Sequence, residues 1–307
     1  MEELLAGINN VDWHALEDCT GPADAVPSCF RNLLAGDSKE QRAAVDDLVK
    51  RTYGNGSLYS CAPPVYRFLI RLLADPASHD QQQRILDELL EVALLPRHTE
   101  LKDFERPLHA AILEEIENST TAFLPFLENG HPKMQTLAAN LLTYNPTTST
   151  IWGPAIMGVM QQAKDPFIRA ELMVQAAKGV PAKPEAPRGK HSFRPNTETL
   201  RKTQLAEAWE EFLEAELKAT EHPFVKFVAA CLLVQARKTS ARPKELAFLK
   251  TVSIDSMADM QDDKESWLAE DLLTNACLAA GRAKGFPVFI SVLPQRPWPG
   301  PRSRQRK

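Results

Sequence analysis

What this sequence lacks narrows the field before any motif is read. No stretch approaches the roughly 18 consecutive apolar residues that a membrane helix requires. The opening Met1-Glu2-Glu3-Leu4-Leu5 is acidic where a secretory signal is basic. Cysteine is sparse: Cys19, Cys29, Cys61, Cys231 and Cys277 are odd in number, scattered and without a CxxC pair. That excludes a disulfide framework and a zinc ribbon, and it leads us to expect a reduced, cytoplasmic protein. No large charge of one sign is present either. The 36 Lys and Arg against 40 Asp and Glu leave a net charge of −4, which argues against a nucleic-acid coat or a polybasic membrane binder. Glycine is scarce, 13 in 307 residues, whereas proline reaches 23, a balance suited to helices punctuated by prolines rather than to a sheet-rich fold. At 44% hydrophobic and 25% charged, the composition is that of a globular chain rather than a disordered one.

Catalytic signatures are missing as well. The histidines His14, His79, His98, His109, His131, His191 and His222 form no HExxH and no HxH pair. Glu105 and His109 stand four apart and can share one helix face, an arrangement expected of a surface contact rather than half of a zinc site. No GxSxG elbow occurs. Gly54-Asn55-Gly56-Ser57 lacks the following GK[ST] of a phosphate loop and reads as a tight turn between helices, with Gly153-Pro154 and Gly179 as further loop punctuation. Carboxylates gather at Glu114, Glu115 and Glu117, at Glu207, Glu210, Glu211, Glu214 and Glu216, and at Asp259, Asp262, Asp263 and Glu265. Their spacing fits solvated helix faces, or a patch for a basic partner, rather than an acid–base pair. The sequence thus calls for no catalytic residue, metal or cofactor.

What is present is a repeat. His131-Pro132-Lys133-Met134-Gln135, Asp165-Pro166-Phe167-Ile168-Arg169 and His222-Pro223-Phe224-Val225-Lys226 each lead into an apolar stripe at i, i+3, i+4 and i+7. In each, proline stands in a first helical turn, where its missing N–H costs nothing. Fainter copies begin at Asp37-Ser38 and after Asp80. Apolar helical segments precede them, at 26–34, 65–73, 122–127 and 151–160, so the unit is a helix pair. Pro132 and Pro166 are 34 residues apart, and Pro166 and Pro223 are 57 apart. The longer interval holds a proline-rich insertion near 180–197, then an amphipathic helix bearing Leu205, Trp209, Phe212, Leu213 and Leu217. Only 286–293 looks extended.

This pattern resembles HEAT-like helical repeats over about residues 22–240. The opening, with Val11-Asp12-Trp13, Gly21-Pro22-Ala23, Tyr53-Gly54-Asn55-Gly56-Ser57-Leu58-Tyr59 and Pro63-Pro64-Val65, is similar to the start of bacterial HEAT-repeat proteins of unassigned activity. The resemblance implies an all-α fold, an α-α superhelix of five to six helix pairs spanning residues 1–293. Trp13 and the segment before Pro27 are expected to close one end, and the region after Trp267 the other. Stacked helix pairs line a continuous concave surface, and with no catalytic signature present the expected role is a non-catalytic scaffold that docks a protein partner there.

Phe167, Arg169, Phe224 and Lys226, in the first turns after their prolines, are the candidate contacts, since aromatic and Arg side chains dominate binding energy. Trp152, Trp209 and Trp267 read as core rather than as stacking platforms for bases. Residues 294–307 form a proline-rich basic tail, expected to be disordered, in which Arg296, Trp298, Arg302, Arg304, Arg306 and Lys307 could touch nucleic acid. Without it the side-chain charge falls to about −9. Some HEAT-like proteins are DNA glycosylases for alkylated bases, but they need a basic groove, and Arg169 and Lys226 alone make a thin one.

Overall fold

The computed structural model describes residues 7–74, 76–98, 100–180 and 197–237, with the backbone alone at 76–78, 97 and 98. The chain divides into two compact units, Met1–Trp209 and Glu210–Lys307. Helices dominate: α1 (Val26–Ala35), α2 (Ser38–Thr52), α3 (Ala62–Leu72), α4 (Gln82–Ala93), the short α5 (Leu95–His98), α6 (Glu105–Glu117), α7 (Thr120–Asn129), α8 (Pro132–Leu142), α9 (Ser149–Gln162), α10 (Pro166–Gly179), α11 (Thr197–Ala219) and α12 (Pro223–Arg237). Strand is confined, among the described residues, to two hairpins, β1 (Glu17–Asp18) with β2 (Gly21–Pro22) and β3 (Tyr53–Gly54) with β4 (Ser57–Leu58). The all-α expectation is met.

Local chemistry sets the helix starts. Asp37 builds a full capping box on α2: its carboxylate accepts from the backbone of Lys39 and Glu40, while Glu40 accepts from the Asp37 N–H. Asp165 caps α10 by accepting from Phe167 and Ile168 N–H. Prolines occupy the first turns of α1, α3, α8 and α10. The links of two helix pairs are near copies. Gly36 (φ −77°, ψ 166°) joins α1 to α2 and Gly130 (φ −71°, ψ 158°) joins α7 to α8, each followed by an extended N-cap, Asp37 or His131. Glycine is required by close approach, not by φ. A Cβ on Gly36 would lie 2.5 Å from the Asn32 carbonyl oxygen, and one on Gly130 would collide with that of Phe126.

Within Met1–Trp209 the pairs α1/α2, α7/α8 and α9/α10 each pack helix on helix. Across pairs, α7 meets α9, and α2, α4, α8 and α10 meet in succession. Helix α3 rests on α6, which also touches α4 and α8. The core follows the expected stripes, with Leu33, Val45, Leu48, Leu69, Ile85, Leu89, Ala138, Trp152 and Leu172 essentially inaccessible. Burial of each such Leu or Ile contributes about 2 kcal/mol. Trp13 is buried, donates its indole N–H to the Ile8 carbonyl at 2.7 Å and lies 6.4 Å from the Phe68 ring, which Phe30 meets edge-on at 5.8 Å.

Three local readings need correction. Gly153-Pro154 is not loop punctuation but lies inside α9. Gly153 is there for packing: a Cβ would come 2.9 Å from a Leu205 methyl of α11. Gly179 is likewise the last residue of α10, pressed against the Trp152 ring. The Gly54–Ser57 turn does join two helices, but through a β-hairpin. Asn55 (φ 54°) and Gly56 (φ 74°) both take the left-handed region that a two-residue primed turn demands. The insertion at 181–196, Trp267, Cys277, the segment 286–293 and the tail lie outside the described residues.

Candidate binding surface

Three groupings of polar side chains stand out, and each is built by a different device. The first follows α2, α4 and α8. Arg84 of α4 reaches Asp46 of α2 at 3.0 Å and Glu88 of its own helix at 2.7 Å. Lys133 of α8 reaches Asp87 of α4 at 3.1 Å. Ser38 adds a hydrogen bond to Asp80 at 2.6 Å. The partly exposed pairs among these, Arg84–Asp46 and Lys133–Asp87, contribute at most about 1 kcal/mol each. They fix the register of neighbouring helices, and they neutralise cations that a polyanion would need. Burial raises the Glu88 carboxyl; Arg84 opposes that, while Glu91, Asp46 and Asp87 add to it.

The four first-turn candidates fall in the two compact units, Phe167 and Arg169 in one and Phe224 and Lys226 in the other. Phe167 and Arg169 are half-buried at the start of α10, and Arg169 donates to the Gln161 carbonyl at 3.3 Å. Phe224 is 8% exposed, buried in the first turn of α12 along with Val225, Phe227 and Val228. Lys226 is half-buried. Arg296, Trp298, Arg302, Arg304, Arg306 and Lys307 lie outside the described residues. Trp152 and Trp209 are core, 0% and 3% exposed, and the Trp152 indole donates to the Asn145 carbonyl at 3.1 Å.

The second grouping lies at the C-terminal end of α2. Arg51 bridges Asp18 of β1 at 2.6 Å and Asp47 of α2 at 2.9 Å, and the Cys29 thiol of α1 donates to Asp47 at 3.1 Å. The Asp18 side chain is fully inaccessible. Burial works to raise its carboxyl, but hydrogen bonds from Thr20 and then Arg51 outweigh it, so it titrates below the usual carboxylate range. Burial, with Asp47 beside it, pushes the Cys29 thiol up to about 11. A cleft of about 470 Å³ opens alongside, lined by Cys29, Asn32, Ala35, Glu40, Ala43 and Asp47 among others. Its carboxylates already serve Arg51, Cys29 and the α2 capping box.

The third grouping is Glu105 with His109, which a surface contact was expected to explain. Both are buried instead, 2% and 5% exposed. Glu105 accepts from the Leu58 N–H at 2.9 Å and the Lys102 N–H at 2.7 Å, tying β4 to the start of α6. Burial alone would raise this carboxyl, and the two N–H donors bring it below its ordinary value. His109 Nε2 lies 3.0 Å from the Val92 carbonyl oxygen. Burial depresses its pKa, partly countered by the carbonyls of Val92 and Ala93. The two side chains serve different partners rather than a shared ion. Among the described residues, no cluster of three or more His, Cys, Asp or Glu could hold a metal, and no helix is long and apolar enough to cross a membrane.

No family model, curated protein or solved structure matches this chain. The groupings above therefore stand on their own geometry. Of these, the Asp18–Arg51 pair spans 33 positions of sequence and leaves no local signal, whereas Asp47–Arg51 at i, i+4 does. The Glu105 clasp was equally hidden, because its partners are backbone N–H groups.

Proposed function

We propose that the chain is a HEAT-like helical-repeat scaffold that docks a protein partner, without cofactor or catalysis, on the face made by successive second helices. The observation that carries this reading is the order of packing within Met1–Trp209. Second helices α2, α4, α8 and α10 neighbour one another in sequence order, and the first helices α7 and α9 do the same. The matched Gly36–Asp37 and Gly130–His131 links support a common unit. Stacked pairs of this kind expose one continuous surface of second helices, the usual place for a partner. On that face Arg84 and Lys133 are neutralised by Asp46 and Asp87, which favours a protein over a polyanion. A cytoplasmic setting belongs to the same proposal and rests on the scattered cysteines.

The test compares three full-length proteins in capture from native lysate at physiological salt. They are the wild type, a Phe167→Ala/Arg169→Ala variant, and a variant with Arg296, Arg302, Arg304, Arg306 and Lys307 changed to Ser. A protein retained by the wild type and the tail variant but lost from the α10 variant supports the scaffold and its face. Nucleic acid held by the wild type and lost from the tail variant overturns it. Release of a free base from alkylated DNA by the wild type would overturn it in favour of an enzyme.

A further inference from the structure

Three of the described cysteines surround the end of α2, and two of them meet at one atom. Cys19, just after β1, donates its backbone N–H to the Arg51 carbonyl at 3.2 Å. The Cys61 thiol, at the start of α3, is 3.7 Å from that same oxygen. The two segments are joined by further bonds: Cys61 N–H to the Glu17 carbonyl at 3.1 Å, and Glu17 N–H to Ser60 Oγ at 2.8 Å. Cys19 also lies directly on Gly54, where a Cβ would come 2.8 Å from Cys19 Cβ and 3.5 Å from its sulfur, so its side chain rests against the β3–β4 hairpin. Cys19 is half-buried and free, Cys61 is fully buried and free, and Cys29 is committed to Asp47.

We propose that Cys19 and Cys61 form a reversible disulfide on exposure to a peroxide, making this corner a site of oxidative modification. The less buried of the two cysteines reacts first. The Cys19 thiolate attacks one peroxide oxygen; an S–O bond forms, the O–O bond breaks, and the departing hydroxide leaves as water after protonation. Cys61 then attacks the Cys19 sulfur; the S–S bond forms, the S–O bond breaks, and the hydroxyl leaves with the Cys61 proton as a second water. The two thiols supply the two electrons that reduce hydrogen peroxide to water. Burial, together with Asp18, pushes the Cys61 thiol up to about 12, so this residue resolves and does not initiate. The bond would fasten the β1–β2 corner to α3. Its closed loop constrains the unfolded chain, and the melting temperature should rise by roughly 10 °C.

The experiment uses the full chain, reduced and then exposed to hydrogen peroxide. Thiols titrated in denaturant should fall from five to three and return to five with dithiothreitol. Peptide mapping should show the Cys19 peptide linked to the Cys61 peptide. Cys29→Ser should retain the link, whereas Cys19→Ser should leave Cys61 reduced. Cys61→Ser, with Cys61→Ala as the second choice should the hydroxyl disturb folding, should let Cys19 pass on to sulfinic acid. A wild type in which Cys19 itself passes to sulfinic acid with Cys61 still free would overturn the proposal. So would a link to Cys29, a link between molecules, or five thiols unchanged.

Discussion

The same substitution, Gly to Ala, should act with opposite sign at two helical positions that sequence rules treat alike. Propensity alone favours Ala by up to about 1 kcal/mol at each. Gly158, in the middle of α9, has nothing within 4 Å of where a Cβ would sit, so Gly158→Ala should stabilise by about 0.5–1 kcal/mol. Gly179, the last residue of α10, has the Trp152 ring in the way. A Cβ there would fall far inside 3.0 Å of Cη2 and Cζ2 and at 3.5 Å from Cζ3. The ring has nowhere to go: Trp152 is 0% exposed and its indole N–H is anchored on the Asn145 carbonyl at 3.1 Å. Overpacking of this kind costs about 1–3 kcal/mol, and loss of the indole hydrogen bond about 1 kcal/mol more. Against the propensity gain, Gly179→Ala should destabilise by about 2 kcal/mol. Urea titration followed by far-ultraviolet circular dichroism reads both variants against the wild type. A Gly179→Ala protein as stable as the wild type, or more so, would refute the packing argument. A destabilised Gly158→Ala would refute the claim of open space.

Other consequences are as direct. Asp18→Asn should cost about 2 kcal/mol, because Arg51, itself mostly buried, keeps Asp47 but loses the charged hydrogen bond to its inaccessible partner; chemical denaturation measures it. Asp18, Asp47 and Glu105 all titrate below their ordinary values, so their contribution to stability is full at neutral pH and is lost as pH falls through those lowered values. His109 works at higher pH: held neutral by burial, it costs stability progressively as pH falls below 6.5, and His109→Gln should flatten that part of a melting-temperature profile. Gly130→Ala should destabilise by about 2 kcal/mol, since a Cβ would press on the Phe126 carbonyl and lie 3.0 Å from Met134 Cβ; thermal denaturation reads the loss.

Much of this protein is written in local chemistry. The proline-led helices α8, α10 and α12, the capping aspartates Asp37 and Asp165, and the long helix through Leu205, Trp209 and Leu213 follow from i, i+3, i+4 patterns and first-turn rules. These signals are local because a helix satisfies its hydrogen bonds within itself. The Asn55-Gly56 turn was legible as a tight link between helices but not as a β-hairpin, although a residue pair at ease in left-handed dihedrals is the local signal for one. Helix α6 left a weaker trace, as its buried face includes Glu105 and His109 and so breaks the apolar stripe.

Only the tertiary structure decided the rest. Whether Phe224 points outward or inward depends on what packs over the first turn of α12, and pattern alone is silent on that. Gly153 and Gly179 look like loop breakers until Leu205 and Trp152 are seen to occupy the space of their missing side chains. The Asp18–Arg51–Asp47–Cys29 chain and the Glu105 clasp join residues tens of positions apart. Charge and hydrogen-bonding act over a few ångströms of space, and sequence separation does not encode that distance. The sequence by itself therefore determined the helices and their starts, whereas their neighbours, the buried charges and the convergence of Cys19 and Cys61 on the Arg51 carbonyl were decided by the fold.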